Sequence, residues 1–184
     1  MIKEVKRYFN DGPVLMDTAV FNDDRGYFME TFNLKELKDI IGDVDFVQQN
    51  ISKSKKNVLR GLHYQKAPQE QANLVRVIKG SGFDVAVDIR LGSDTFGQWC
   101  GVYLSESNSR LFYIPKGFAH GFLALEDDTL LNYNCSDYYH KECEASINYL
   151  DPDIRINWEE WINPMSANMS EKDLKGVLLC DAEF

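Results

Sequence analysis

Apolar and polar residues alternate along residues 83–90, and this pattern constrains the fold of the chain more than any other feature. One face of the predicted strand carries four apolar side chains, those of Phe83, Val85, Val87 and Ile89. The other face carries the polar residues Asp84, Asp88 and Arg90. A period of two residues indicates a β-strand, because successive side chains of a strand point to opposite faces.

Further runs have the composition of strands, at residues Asn73–Ile78, Trp99–Leu104, Arg110–Ile114 and Thr129–Cys135. Residues that favour turns separate these runs, at positions 79–82, 91–94, 105–109 and 126–128. Many short strands at regular spacing predict an all-β fold, either a double-sheet jelly roll or a barrel.

Short helices are expected at the periphery of this β-structure. Asn33 can cap a helix over residues 34–41, and Gly42 can end it. The apolar residues of this segment recur at helical spacing. The strand pattern loosens after Asp151, and residues 170–173, Ser-Glu-Lys-Asp, predict the start of another short helix.

Length and composition restrict the class of protein. A chain of 184 residues predicts a single domain over residues 1–184. The formal net charge is -9, which argues against a nucleic-acid partner, since that function needs a basic surface. The N-terminal residues lack the apolar core of a signal peptide, and no apolar run suits a membrane span. We therefore expect a cytoplasmic protein without membrane attachment, with reduced thiols at Cys100, Cys135, Cys143 and Cys180.

Two of the three histidines lie in informative contexts. The spacing of Pro115, Gly117 and His120 resembles the second signature of cupin barrels, in which a turn directs a histidine into the barrel. Cupin metal sites also need a His-x-His pair, but residues 63–65 read His-Tyr-Gln. Two histidines alone make a poor site for a divalent metal, so we predict that none is bound.

Proton transfer is the alternative use of these histidines. A histidine can act as a general base near neutral pH, and a carboxylate can hold its tautomer. A tyrosine on the opposite wall can return a proton. Structural explanations remain open for each candidate residue: Asp173 as a helix cap after Ser170, Tyr133 as a core aromatic, and His120 as a hydrogen-bonded barrel histidine.

No phosphate-binding loop is present, because neither nucleotide-binding glycine pattern occurs in the chain. A Rossmann-type cofactor is therefore not expected. A bound diphosphate would have to be held by arginine side chains, such as those of Arg25, Arg60 and Arg76.

Several long motifs, in the same order along the chain, resemble the dTDP-4-dehydrorhamnose 3,5-epimerase family over nearly the whole length. The N-terminal motifs lie at residues 24–30, 48–52 and 58–65. The central motifs lie at residues 84–90, 93–97 and 114–122. The C-terminal motifs lie at residues 138–139, 151–152, 156–158 and 170–173.

The resemblance implies a metal-free, cofactor-independent isomerase of deoxysugar biosynthesis, such as that of the rhamnose of lipopolysaccharide O-antigen. Its fold would be an all-β, cupin-like double-sheet jelly roll with short peripheral helices, usually a homodimer with exchanged strands. By analogy His63 is the base, Asp173 its carboxylate partner and Tyr133 the proton donor on the other face. Residues matching the nucleotide-sugar pocket are Arg25, Glu30, Gln48, Asn50, Arg60, Asn73, His120, Tyr138, Glu144 and Lys172, some of them reaching across the dimer.

One position departs from the family pattern. The family commonly has a lysine in a Gln-Ala-Lys-Leu-Val segment, where this chain has Asn73. An amide can donate a hydrogen bond to an enolate oxygen but carries no charge. Three functions therefore stay open: epimerisation at C3 and C5, epimerisation at one centre or on another nucleotide sugar, and a metal-dependent or non-catalytic cupin.

Strict alternation along a strand would place Arg60 and His63 on opposite faces. Both can serve one site only if the strand twists or bulges near Gly61. We therefore predict an irregularity at this glycine.

Overall fold

The computed structural model describes residues 1–184, and β-strands are its main regular secondary structure. The N-terminal strands are β1 (Ile2–Arg7), β2 (Val14–Thr18), β3 (Val20–Asp23), β4 (Gly26–Met29), β5 (Gln48–Ser54) and β6 (Leu59–Gln65). The C-terminal strands are β7 (Asn73–Lys79), β8 (Ser81–Asp88), β9 (Trp99–Ser105), β10 (Leu111–Ile114), β11 (Phe118–Ala124), β12 (Thr129–Cys135) and β13 (Glu144–Ser146). One α-helix, α1 (Leu34–Ile41), joins β4 to β5. Five short 3₁₀ helices follow β12, at Lys141–Cys143, Trp158–Glu160, Pro164–Ser166, Asp173–Lys175 and Leu179–Asp181.

Two antiparallel sheets pack face to face. The six-stranded sheet has the order β1-β2-β10-β7-β12-β5, and the five-stranded sheet has the order β13-β6-β11-β8-β9. Strands β3 and β4 form a separate hairpin. The predicted cupin-like double-sheet jelly roll with short peripheral helices is confirmed.

The predicted strands of the middle of the chain are confirmed within two residues at each end. In β8, however, all eight residues are buried, so its polar face is covered as well as its apolar face. Asp84 on the polar face has no exposed surface. Alternation located the strand and its two faces, but it did not reveal that both faces lie inside the protein.

The core has three layers, because each sheet is also covered on its outer face. The inner layer lies between the sheets and includes Val75 and Phe112 from one sheet and Phe122 from the other. The outer face of the five-stranded sheet is covered by residues 147–184, where the Trp161 ring stacks on Phe83 at 4.7 Å between ring centroids. This cover fixes the C-terminal segment that carries Asp173.

Helix α1 covers the outer face of the six-stranded sheet through Leu37, its one fully buried residue. Both predicted ends are confirmed: the Asn33 side chain accepts a hydrogen bond from the Glu36 N–H, and Gly42 follows at φ 83°. A β-branched or larger residue at position 42 would be strained in this left-handed region. No helix in the structure combines the length and apolar character needed to cross a bilayer.

Candidate active site

A cavity of about 460 Å³ lies between the two sheets. Most of the residues that the sequence predicts as site residues line it, namely Gln48, Asn50, Arg60, His63, Asn73, His120, Tyr133, Glu144 and Lys172. His63 and His120 come from the five-stranded sheet, whereas Tyr133 and Asn73 come from the six-stranded sheet. The histidines and the tyrosine therefore face the cavity from opposite walls.

The irregularity predicted at Gly61 is present in β6. His63 pairs with His120 of β11 and Arg60 pairs with Phe122, so the paired segment of β6 holds one more residue than that of β11. A Cβ atom on Gly61 would lie 2.7 Å from Gly121 Cα, and its φ is 128°. Only glycine fits this close approach. The bulge lets both Arg60 and His63 line the cavity.

His63 contacts a buried carboxylate behind the cavity wall. Its Nε2 lies 2.7 Å from Oδ1 of Asp173, whose side chain is 6% exposed. The oxygen stands away from the direction of the ring N–H, so the contact has the distance of an ion pair with poor hydrogen-bond geometry. Nδ1 is then the ring nitrogen that remains free to face the cavity.

Other donors keep Asp173 in place. Its Oδ1 accepts a hydrogen bond from the Gly61 N–H at 3.1 Å, and its Oδ2 accepts one from the Ser170 hydroxyl at 2.5 Å. The Ser170 hydroxyl also accepts from the Asp173 N–H, which completes the predicted capping motif. Asp173 is therefore a cap and a partner of His63 at once. Burial raises the pKa of Asp173, but these donors and His63 outweigh it and hold the pKa well below its ordinary value.

Tyr133 faces the cavity from β12 on the opposite wall. Burial is the main cause that raises the pKa of Tyr133 above its ordinary value, with a smaller contribution from Cys135. The phenol therefore keeps its proton at neutral pH, as a proton donor must.

A second histidine–aspartate pair stands beside the first. Nε2 of His120 lies 2.9 Å from Oδ1 of Asp84, and Asp84 is fully buried. The other oxygen of Asp84, Oδ2, has no hydrogen-bond partner. Burial raises the pKa of Asp84, and the nearby His120 opposes this shift.

Charged groups collect at the mouth of the cavity. Glu144 accepts hydrogen bonds from Lys172 and from the Tyr139 hydroxyl. Burial raises the pKa of Glu144, but the hydrogen bonds from these two donors outweigh burial. The pKa of Glu144 therefore lies below its ordinary value. Arg60 donates to the Ser54 hydroxyl and to the carbonyl of Lys53, and it remains exposed.

The deeper polar residues form a chain of neutral contacts. Gln48 donates to Asn50, Asn50 donates to the sulfur of Cys135, and that thiol donates to Oδ1 of Asn73 at 3.3 Å. The amide nitrogen of Asn73 is left free to donate to a ligand. Burial raises the pKa of the Cys135 thiol to about 11, so this cysteine is a neutral part of the wall.

Besides Asp173, which lies behind the wall, three predicted site residues lie outside the lining of this cavity. Arg25 is at the tip of the β3–β4 hairpin and donates to Asp23, and Glu30 accepts from Asn33 beside α1. Tyr138 is mostly exposed, and its carbonyl oxygen accepts from Gln65. The neighbouring residue Tyr139 lines the cavity instead.

Sequence reasoning missed two further contributors, Tyr139 and Asp84. Tyr139 is adjacent to a residue of the same type, and the sequence does not show which of the two turns inward. Asp84 lies on the polar face of a predicted strand, and alternation alone gives no sign that a histidine of another strand meets it. No three histidine, cysteine, aspartate or glutamate side chains converge as a metal site.

Comparison with known proteins gives one consistent family. Residues 10–181 match the family model described as dTDP-4-dehydrorhamnose 3,5-epimerase. The enzyme of that name from Methanothermobacter thermautotrophicus is 51% identical over 164 residues, which are 89% of this chain and 87% of the relative.

Solved structures agree with this similarity. A 3,5-epimerase from Legionella pneumophila, solved with dTDP-4-keto-L-rhamnose, has a TM-score of 0.93 and 45% identity, covering 100% of this chain and 95% of the other. A 3'-monoepimerase from Streptomyces bikiniensis, solved with dTDP-quinovose, has a TM-score of 0.85 and 34% identity, covering 92% and 84%.

Proposed function

Because the chain belongs to the dTDP-4-dehydrorhamnose 3,5-epimerase family, we propose that it inverts C3, C5 or both in a dTDP-4-dehydro-6-deoxyhexose through an enolate. The protein is an isomerase of the class that acts on nucleotide sugars. The observation that carries the proposed mechanism is the His63–Asp173 pair on one wall of the cavity, facing Tyr133 on the other.

His63 is the proposed base. The ketone at C4 acidifies the hydrogens on C3 and C5, and Nδ1 of His63 removes one of them. The C–H electron pair forms the carbon–carbon double bond of the enolate, while the carbonyl π pair moves onto the C4 oxygen. Asp173 stabilises the imidazolium that results, because its low pKa keeps it ionised.

Tyr133 is the proposed acid. Its phenol stands on the opposite sheet, so it can deliver a proton to the other face of the same carbon. Inversion needs proton donor and acceptor on opposite sides of the sugar ring, and two packed sheets supply that arrangement. The phenolate regains its proton from solvent, and His63 releases its own there, so no redox partner is required.

The mouth of the cavity suits a nucleoside diphosphate. We assign Arg60 to the diphosphate, because it is the exposed arginine of the lining. Gln48, Asn50, Glu144 and Lys172 offer neutral and charged polar groups around it, and His120 and Asn73 lie near the sugar. Arginine is suited to phosphate oxygens because its guanidinium donates through two parallel N–H groups.

The protein is proposed to act as a homodimer. The β3–β4 hairpin exposes Phe21, Tyr27 and Phe28, an apolar surface that a monomer leaves in water. Beneath it, Arg76 is 6% exposed, and its Nε and Nη1 atoms have no partner. A second copy packed on this surface would cover the apolar rings. It would also bring Arg25 and Glu30 towards the partner's cavity.

A subunit-mixing experiment tests the shared site. Arg25→Ala and His63→Asn are each expected to be inactive as homodimers. If Arg25 serves the partner's cavity, one site of the mixed dimer is intact, and activity returns on mixing. Mixed dimers that stay inactive would place Arg25 in its own subunit's site. A mixture of His63→Asn with Asp173→Asn is the control, since both changes disable the same subunit's site.

We also propose that residues 1–184 form one epimerase domain that works in the cytoplasm without a metal or an organic cofactor. The four cysteines support this location, since none is paired in a disulfide. The net charge of -9 supports the absence of a nucleic-acid partner.

The test of the function is incubation with dTDP-4-keto-6-deoxyglucose in deuterated water, followed by NMR of C3 and C5. Deuterium at one or both carbons, with inversion, is expected. Retention of both original hydrogens would contradict the proposal. His63→Asn is the matched control, because it leaves the cavity but removes the base.

A single-centre epimerase is the second candidate function. The neutral Asn73 in the cavity favours it, because a weaker contact to the enolate oxygen can restrict the reaction to the more acidic carbon. The similarity to a 3'-monoepimerase shows that the fold accommodates such an activity. Separate integration of deuterium at C3 and C5 distinguishes the two.

A further inference from the structure

The two permanent cations of the cavity lining are already assigned to other partners. Arg60 and Lys172 are the only lysine and arginine side chains that line it. Lys172 is paired with Glu144 at the mouth, and Arg60 donates to Ser54 and Lys53. Asn73 offers one neutral amide. An oxyanion in a partly dry site needs a strong donor, and losing such a donor typically costs about 10²- to 10³-fold in turnover.

His120 lies where it can supply that donor. It pairs directly with His63 across β11 and β6, and directly opposed residues of antiparallel strands point to the same face. Both rings therefore face the cavity side by side. Because Nε2 of His120 contacts Asp84, Nδ1 is the nitrogen left for a ligand.

Asp84 has few hydrogen-bond partners, and this determines which ring nitrogen of His120 carries a hydrogen. His120 is the only side chain that contacts the Asp84 carboxylate by a hydrogen bond, and Oδ2 has no partner at all. An ionised carboxylate in a dry interior is costly without a charged partner, so the pair keeps a shared proton. If the ring holds that proton, Nδ1 carries an N–H. If Asp84 holds it, Asp84 donates to Nε2, and the hydrogen of the neutral ring is again on Nδ1.

His63 has the opposite arrangement. Asp173 already accepts hydrogen bonds from Gly61 and Ser170, so it is stable as a carboxylate beside a neutral ring. The hydrogen of neutral His63 then lies on Nε2, the nitrogen 2.7 Å from Asp173, and Nδ1 presents a lone pair. One histidine is arranged to accept a proton, and its neighbour is arranged to donate a hydrogen bond.

From this geometry we propose that His120, held by Asp84, donates from Nδ1 to the C4 oxygen of the sugar and stabilises the enolate. The inference rests on the proposed function and adds a catalytic residue to it. His120 contacts the reacting group, whereas Asp84 is a positioning residue that acts through His120. The hydrogen bond strengthens as charge moves onto the oxygen and weakens again when carbon is reprotonated, so no proton or electron is left over.

A double-mutant cycle between positions 120 and 73 tests the proposal. His120→Asn in the native background is expected to lower kcat by about 100-fold, with little change in KM. Asn73→Lys places a permanent cation in the same cavity. In that background the loss caused by His120→Asn should fall below about tenfold, because the lysine takes over the charge. Equal losses in both backgrounds would overturn the proposal.

The positioning role of Asp84 has its own readout. Asp84→Asn cannot share an acidic proton with His120, so it should lower kcat, and the loss should also be relieved by Asn73→Lys. A merely structural role would give the same loss in both backgrounds. If the lysine variant fails to fold, the pair of His120→Asn with Asp84→Asn serves instead. Their combined loss should equal that of His120→Asn alone, and additive losses would contradict the proposal.

Two further measurements distinguish failure of this inference from failure of the proposed function: deuterium incorporation by native protein, and kcat of a variant at a histidine outside the cavity. His140→Asn changes a histidine outside the cavity lining and should leave kcat unchanged. If native protein incorporates no deuterium at C3 or C5, the proposed function fails. If native protein incorporates deuterium while His120→Asn retains full kcat, only the role of His120 fails.

Discussion

The two histidine–aspartate pairs of the cavity have the same composition but opposite surroundings. Asp173 is bound by His63, by a serine hydroxyl and by backbone N–H groups, which together outweigh burial and keep its pKa below the ordinary value. Asp84 is bound by His120 alone, and burial keeps its pKa above the ordinary value. Asp173 thus has donors besides its histidine, whereas Asp84 has none, and the pKa values of the two carboxylates are shifted in opposite directions.

The largest expected effect is the loss of the base. His63→Ala should lower kcat by about 10²- to 10⁴-fold while the fold survives, because Gly61 and Ser170 still hold Asp173. Turnover and far-UV circular dichroism measure the two outcomes. The matched His140→Ala should keep native turnover. Near-native turnover in His63→Ala would show that His63 is not the base.

Asp173→Asn should also lower kcat strongly, and its effect should not add to that of His63→Ala, since the two residues act as a unit. Asp151→Asn is the matched control. Asp151 is a buried carboxylate that likewise accepts backbone N–H groups, from Asp153, Ile154 and Leu179, but it lies outside the cavity lining. If Asp173→Asn retained native kcat, Asp173 would be a helix cap and nothing more.

The opposite pKa shifts predict opposite dependences of stability on pH. Asp173 has a lowered pKa, so its carboxylate stabilises the fold above the ordinary value of 3.8 and this contribution is lost as pH falls below it. Asp173→Asn should therefore cost about 2 kcal/mol at pH 7, and less at acid pH. Asp84 has a raised pKa, so stability that depends on it falls as pH rises above 3.8.

Asp84→Asn should accordingly remove a cost that grows with pH. Denaturant unfolding of both variants and the native protein, at several pH values, measures the comparison. The free-energy difference from native protein should become more unfavourable with rising pH for Asp173→Asn and less unfavourable for Asp84→Asn. Parallel curves would show that the two carboxylates have the same environment.

Asn73→Lys is expected to have a smaller effect, a several-fold increase in deuterium exchange at whichever carbon native protein handles poorly. A cation in a partly dry cavity interacts with an oxyanion more strongly than a neutral amide does. Exchange is measured separately at C3 and C5 by NMR. If native protein exchanges both carbons at similar rates and the lysine alters neither, position 73 does not limit the reaction.

No effect is expected from metal removal. Neither pair forms part of a group of three potential ligands, so treatment with a chelator should leave turnover unchanged. Loss of activity on chelation, restored by a divalent ion, would show that the reaction depends on a metal and would contradict the proposed metal-free proton transfer. Metal analysis of purified protein is the accompanying measurement.

Local patterns in the sequence determined much of the fold. The alternation of β8 located a strand, Asn33 and Gly42 located the ends of α1, and Ser170 with Asp173 located a cap. Each of these depends on contacts between residues that are near in sequence or on a simple period. The irregularity at Gly61 could be predicted because Arg60 and His63 lie an odd number of residues apart. A regular strand would point them to opposite faces, yet both were expected to line one cavity.

The partners of the charged groups were decided by the tertiary structure. Asp84 and His120 lie on different strands, and only their antiparallel register brings the two side chains together. The same register, with residues 147–184 over the outer face, buries both sides of β8 and leaves Asp84 Oδ2 without a partner. Sequence therefore determined which residues can exchange protons. The packing of the two sheets decided which histidine is placed to accept a proton and which to donate a hydrogen bond. Hydrogen-bond partners and burial depend on contacts between residues distant in the chain.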